Sequence, residues 1–187
     1  MIKQQLRKIY RAERLALTDS ERVKMDDLML IQFQHSGIEI PDTVMTYAPL
    51  EKFAEFNPAF IEDYCLFKNP TVQFVYPVMK GHDLIPMLTD ADTAFLKNSM
   101  DIDEPVDGHP LDPKTIDMIF VPMVIADVSG NRVGYGKGFY DRFLKQCRKD
   151  VVMIGFSYFE PVQEISDVFE GDVPLNYCIT PNACYLF

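Results

Sequence analysis

The sequence predicts an α/β fold: a single domain over residues 1–187, layered, with a mostly parallel central sheet flanked by helices on both faces. Three observations carry this. Short β-branched and aromatic runs alternate with stretches at helical spacing. The most apolar run, 116–125, is hydrophobic at nearly every position, as a strand buried on both faces is. The length of 187 residues and a hydrophobic share of 48% suit one core.

The elements follow in order. Ile2, Leu6, Ile9 and Tyr10 recur at helical spacing, with Lys3, Arg7, Arg11 and Arg14 on a neighbouring face. That basic stripe is either a solvated face or a source of cations for a phosphate. Thr18 and Glu21 form a capping box that starts a second helix, which runs to about His35 and ends at Ser36-Gly37. Residues 43–48 make a short strand. A polar loop, 49–57, precedes a helix opened by Pro58 with Asn57 as its cap. A strand at 71–76 is stopped by Pro77. Residues 80–115 are a proline- and glycine-rich excursion with one short strand near 83–88. The central strand 116–125, a helix over 138–149, and strands at 151–156, 177–180 and 183–187 complete the chain. A polar helix or loop fills 164–172.

Charge and composition exclude several classes. A net charge of −10 argues against a nucleic-acid surface, which wants a basic face. It also requires that any site for an anionic ligand be a local basic pocket or use a divalent cation. The four cysteines form no C-x-x-C pair and the three histidines are scattered, so no zinc site is expected. The charged opening MIKQQLRKIYRAER is no signal peptide, and no apolar run approaches the ~18 residues of a membrane span. The expectation is a cytoplasmic protein with reduced thiols, a monomer or weak homodimer, with neither membrane nor nucleic acid as partner.

The stretch with chemical content is Val121–Leu144, VPMVIADVSGNRVGYGKGFYDRFL. Gly134, Gly136 and Gly138 alternate, Lys137 lies between the last two, Arg132 precedes them and Asp141 follows. Alternating glycines let a backbone turn sharply and approach a ligand closely. With a helix start and two cations beside them they suggest a phosphate cradle. The segment is not a Walker A loop, because Gly138 is followed by Phe139 rather than Ser or Thr. Nor has it the dinucleotide spacing. A plain strand-to-helix turn could hold three glycines, but it does not need Asn131, Arg132, Lys137, Tyr140 and Asp141 packed around them.

Residues 130–141, GNRVGYGKGFYD, resemble the signature of the 5-formyltetrahydrofolate cyclo-ligase family, in which a strand ending in proline and a short turn lead into G-N-R-L-G-x-G-x-G-Y-Y-D. Asp117–Pro122 fits the strand. Lys3 and Arg7 resemble the family's N-terminal K-x-x-x-R helix. Glu55-Phe56-Asn57 resembles its E-V-D/N segment, and Gly171-Asp172 before Tyr177–Thr180 resembles its closing segment. Val133 and Phe139 replace Leu and Tyr, Asn176 stands where a second aspartate is common, and 80–115 matches poorly. The pattern fixes no residue at position 135.

The resemblance implies an ATP-dependent enzyme that closes 5-formyltetrahydrofolate, with or without a polyglutamate tail, to 5,10-methenyltetrahydrofolate with MgATP. Phosphorylation of the formyl oxygen is followed by attack of N10. It implies that Lys3, Arg7, Arg132, Gly134, Tyr135, Gly136, Lys137, Gly138, Phe139, Tyr140 and Asp141 bind ATP. Lys137, Arg132 and Tyr140 would carry the chemistry, Glu55, Leu50 and Tyr140 would contact the folate, and Asp141 and Asp172 would hold Mg²⁺. Tyr47 and Phe53 are either core or the walls of a folate slot. Two other readings share the fold: a non-catalytic nucleotide- or folate-binding regulator, and a different ATP-dependent enzyme.

Overall fold

A computed structural model describes residues 1–187. The chain opens with two helices, α1 (Lys3–Ala16) and α2 (Asp19–His35). The capping box forms as the sequence indicates: Glu21 N–H donates to the Thr18 hydroxyl, and the Glu21 carboxylate accepts from Thr18 N–H. Strand β1 (Thr43–Met45), helix α3 (Ala59–Lys68) and strand β2 (Gln73–Lys80) form the first crossover unit. Strands β3 (Asp83–Leu88), β4 (Phe95–Lys97), β5 (Asp103–Pro105) and β6 (His109–Pro110) fill the excursion. The rest are β7 (Met118–Phe120), β8 (Ile125–Ala126), β9 (Arg132–Val133), helix α4 (Phe139–Leu144), β10 (Val152–Phe156), β11 (Tyr177–Ile179) and β12 (Cys184–Leu186).

Eight strands make one sheet in the order β12-β11-β10-β7-β1-β2-β3-β6. The five central strands are parallel, and β12, β3 and β6 are antiparallel additions at the edges. Alternation along the strands sends side chains to two separate cores. Val44, Met118, Phe120, Ile154 and Ile179 meet Met29 and Phe33 of α2 and Ile61 and Cys65 of α3. Met45, Val75, Ile119 and Cys178 meet Phe143 and Leu144 of α4 on the other face. Helix α1 covers neither face. Its Leu6 packs with Ile125 and Val133 of the β8–β9 hairpin, beyond the carboxyl ends of the central strands.

Four sequence expectations need correction. The 80–115 excursion holds four strands, β3 to β6, where one was expected. The run 116–125 is not one strand: β7 is short, Pro122 follows, and Ile125 joins the separate β8–β9 hairpin. The helix expected over 138–149 stops at Leu144. Pro77 does not stop β2. Met79 N–H donates to Glu104 Oε1 (2.8 Å) rather than to β3, so the Pro77 nitrogen, two residues earlier, also faces away from β3 and no ladder bond is lost.

This order sets the site. From β1 the chain goes to β2 on one side and later to β7 on the other, so connections diverge at the β1/β7 boundary. Ligands of open parallel sheets bind beyond the carboxyl ends of strands at such a switch point. No helix is long and apolar enough to cross a membrane, and all four cysteines are free.

Candidate active site

A cleft of about 750 Å³ opens at that switch point. Separate stretches build its walls: the face of α1, the loop after β1, the β2–β3 hairpin at Pro77, Met79 and Leu84, the segment from the β4–β5 turn into β5, the glycine loop leading into α4, and Asp172. Every site residue expected from the sequence lines it, from Lys3 and Arg7 through Leu50 and Glu55 to the 132–141 segment and Asp172.

The glycine loop is fixed at both ends. Upstream, the buried Asp127 carboxylate accepts from the N–H groups of Ser129 (3.0 Å), Asn131 (2.9 Å) and Ile165 (3.1 Å) and from the Asn131 amide, which makes the 127–131 turn rigid. Asn131 therefore serves the turn. Downstream, Gly138 caps α4 in the left-handed region (φ 66°). Between them Gly136 also has a positive φ, 92°, which favours glycine, and a Cβ there would meet the Arg7 guanidinium carbon in ordinary contact at 3.4 Å. Arg7 Nε donates to Gly134 O (2.6 Å), tying α1 to the loop. The basic stripe of α1 is thus not a solvated face: Lys3, Arg7 and Arg11 line the cleft and Arg14 is buried beneath it.

Arg132 is buried, and its guanidinium donates to Asp141 Oδ1 (2.7 Å) and to Val173 O. Burial holds its pKa below the usual value, and the Asp141 charge opposes that shift. Lys3 Nζ pairs with Asp172. Desolvation works against the Asp172 charge, but the bonds from Lys3 and Phe169 N–H outweigh it and hold the carboxyl below its ordinary range. Both expected magnesium ligands are thus engaged by cations. No group of three or more His, Cys, Asp or Glu gathers anywhere as a cation cage. Lys137 has no carboxylate partner: its ammonium lies 2.8 Å from Met100 Sδ in the β4–β5 turn.

The loop after β1 turns sharply. Residues Glu51–Phe53 form a single 3-10 turn, and Ala54 then adopts the left-handed region (φ 48°), a strained conformation for a residue with a Cβ. The strain directs the Glu55 carboxylate back to Leu50 N–H, which donates to Oε2 (2.8 Å). Oε1 accepts from the Tyr135 hydroxyl (2.5 Å). Burial pushes the Glu55 pKa up, while those two bonds and the Arg14 charge pull it back. The Tyr140 hydroxyl is buried with no hydrogen-bond partner, and desolvation with the nearby Glu55 charge raises its pKa. A buried orphan hydroxyl on a cleft wall is a group waiting for a ligand acceptor or donor.

Tyr47 and Phe53 both line the cleft, and each is also engaged by protein neighbours. The Tyr47 hydroxyl donates to Phe56 O (3.2 Å) and the residue is buried. Phe53 has Arg11 over one face (3.7 Å) and Tyr135 stacked beside it (5.7 Å, 18°). Sequence reasoning named Arg11 only as part of the basic stripe, and missed Lys52, Met100 in the β4–β5 turn and Asp103 and Glu104 of β5 as cleft walls. The turn's only signal was the length of its proline-rich excursion.

Comparisons with known proteins agree with this geometry. The family model for the 5-formyltetrahydrofolate cyclo-ligase family matches residues 1–181. A 5-formyltetrahydrofolate cyclo-ligase from Mus musculus is 30% identical over 142 residues, 71% of this chain and 68% of that protein. One from Mycoplasma pneumoniae is 28% identical over 179 residues, 94% of this chain and 97% of its own length. The solved structure of a Mycoplasma pneumoniae 5,10-methenyltetrahydrofolate synthetase superposes with a TM-score of 0.75 at 25% identity, covering 97% of this chain and 99% of that one. That of Aquifex aeolicus has the same fold, with a TM-score of 0.81 at 24% identity over 100% of this chain and 93% of its own. A family match over nearly the whole length, with the glycine segment intact on the wall of the cleft, leaves one assignment: the chain belongs to the 5-formyltetrahydrofolate cyclo-ligase family.

Proposed function

We propose that the protein closes 5-formyltetrahydrofolate to 5,10-methenyltetrahydrofolate at the expense of ATP. The observation that carries this reading is the convergence of the Lys3 and Arg7 cations, the 134–138 loop and Glu55 on one cleft, although they lie far apart in sequence. In the proposed reaction the formyl oxygen attacks the γ-phosphorus of ATP and ADP leaves with the bond pair. The N10 lone pair then attacks the activated formyl carbon. The carbon–oxygen bond breaks, inorganic phosphate leaves, and N10 loses its proton. An amide oxygen is a poor leaving group, and phosphorylation makes it a good one.

The residues suit those needs. Phosphoryl transfer depends on positioning and charge neutralisation more than on a strong base. Arg7 is tied to the loop at Gly134 O, and Lys137 in the loop carries a charge that no protein carboxylate satisfies. Arg132 and Asp141 brace the loop's two ends against each other. Glu55 and Tyr140 offer an acceptor and an unpartnered hydroxyl to the folate, and Leu50 an apolar surface. The ring-closing step needs only that N5 and N10 be held in register. Mg²⁺ is commonly held by one or two carboxylates together with substrate phosphates, so in this reading it would arrive with the nucleotide and Asp141 and Asp172, both on the cleft wall, are the carboxylates that would complete its shell.

The test is direct. Purified protein mixed with 5-formyltetrahydrofolate and MgATP should develop methenyl absorbance that depends on both. Folded protein that yields no ATP-dependent product would sink the reading. Thermal stabilisation by ATP or folate without turnover would instead favour a binding regulator.

A further inference from the structure

The cleft wall carries a hydrogen-bond chain that the family pattern does not specify. It begins at Arg14, a buried residue of α1. Arg14 Nε donates to Phe53 O (2.8 Å) and one terminal nitrogen donates to Met123 O (3.2 Å), so two backbone segments fix the guanidinium in place. The other terminal nitrogen donates to the Tyr135 hydroxyl oxygen (2.8 Å). An arginine stays charged and has no acceptor. The Tyr135 oxygen must therefore accept at that contact, and its single proton is left for Glu55 Oε1, 2.5 Å away. Leu50 N–H serves Oε2 in the same sense. The Tyr135 ring is itself held by its stack on Phe53, which also carries Arg11 over its ring.

We infer that Arg14, acting through the Tyr135 hydroxyl, is a positioning residue that holds Glu55 as an obligate hydrogen-bond acceptor on the cleft wall, so that the substrate is recognised there through an N–H donor of its heterocycle. The inference rests on the cyclo-ligase reading for the identity of that substrate. Every protein bond to the Glu55 carboxylate is a donation to it, each oxygen keeps a lone pair, and the residue is only 8% exposed. A carboxylate so placed rewards a donor and repels a carbonyl or phosphate oxygen. The amino and ring N–H groups of a pterin are donors of that class.

Four titratable groups face Glu55: Arg14 from α1, Tyr47 from the loop after β1, Tyr135 from the glycine loop and Tyr140 from α4. The tyrosines stay neutral and Arg14 stays charged through the range of interest, so a titration between about pH 4 and 9 reads Glu55 alone among them.

The experiment uses Tyr135→Phe, which removes one oxygen and keeps the stack, in the full chain. Protein carrying ¹³C-carboxylate glutamate, with Glu55 assigned by its loss in Glu55→Gln, gives the Glu55 midpoint by NMR. The expected result is a midpoint raised by about one pH unit and a KM for 5-formyltetrahydrofolate raised about tenfold. Arg14→Lys, which keeps the charge but loses the fork, should shift both in the same direction. If the midpoint or the folate KM stays at the wild-type value in folded Tyr135→Phe, the inference is overturned. Absence of turnover in the wild type would be a separate failure. It would remove the functional reading and the substrate half of this inference, while the midpoint would still decide the link to Arg14.

Discussion

Lys137→Ala separates a chemical lysine from a structural one. In the resting cleft its ammonium makes no ion pair and touches only Met100 Sδ, so its removal breaks no bond that folding depends on. During phosphoryl transfer the same charge would face the negative charge gathering on the γ-phosphoryl oxygens. Two unit charges about 4 Å apart at an effective dielectric of about 20 interact by about 4 kcal/mol, equivalent to about 10³-fold in rate. Lys137 is exposed in the open cleft, and water will replace part of that interaction, which lowers the expected loss in kcat to about 10²-fold. The assay is steady-state formation of the methenyl product at saturating ATP and folate, with a thermal melt of the same preparations. Expected are a melting temperature within about 1 °C of wild type, since a surface change away from special features costs little, and a kcat lower by about 10². A kcat within about threefold of wild type would refute the charge argument. A large fall in melting temperature would refute the claim that the side chain has no structural partner.

Three further outcomes follow from the geometry. Asp141→Asn removes the counter-charge of the buried Arg132 and should destabilise the fold by about 3 kcal/mol in urea unfolding; a loss under about 0.5 kcal/mol would mean that Arg132 is not effectively desolvated. Gly136→Ala forces a Cβ onto a φ of 92° and against the Arg7 guanidinium, so it should cost about 1–2 kcal/mol and raise the KM for ATP, and an unchanged melting temperature would exclude the backbone described here. Asp26, half-buried beside the Tyr158 hydroxyl, has its pKa pushed up to about 6, chiefly by desolvation. A folded-state pKa raised above the unfolded one contributes stability below about pH 4 that is lost as pH rises through about 6. Asp26→Asn should therefore stabilise the protein at pH 7 by about 1 kcal/mol, after discounting for partial exposure, with the advantage gone in melts at pH 4.

The fold was legible where one local signal had no rival. Thr18 and Glu21 announce their capping box, and the apolar 116–125 run announces a central strand, because burial on both faces leaves no polar positions. It was less legible where tertiary context overrides local propensity. Pro77 reads as a stop, yet β2 runs to Lys80 because its nitrogen faces the side where Glu104 serves the neighbouring N–H. The end of 116–125 reads as the same strand, yet Pro122 hands the chain to a hairpin whose partner, Arg132–Val133, is set by the buried Asp127 turn. Nothing in the apolar pattern marks that exchange.

The site divides in the same way. The glycine segment was legible because its residues are contiguous and few structural needs explain two cations and a carboxylate among three glycines. The remainder is assembled over long separations that composition cannot show. A net charge of −10 disfavours ATP at long range, but the placement of the charges reverses this locally. Six of its cations, Lys3, Arg7, Arg11, Lys52, Arg132 and Lys137, line the cleft against five carboxylates. Two of those carboxylates already pair with Arg132 and Lys3, and a third, Glu55, is shielded by Arg14. Arg7, bonded to the glycine loop, and Lys137 within it have no carboxylate partner. Acidity over the rest of the surface slows the approach of an anion, and the loop cations decide whether it stays. Raising ionic strength should therefore speed ATP association by screening the general repulsion, while weakening retention by the loop cations. Stopped-flow binding at two salt concentrations separates those rates. Association that slows with added salt would show that the cleft, rather than the whole surface, governs approach.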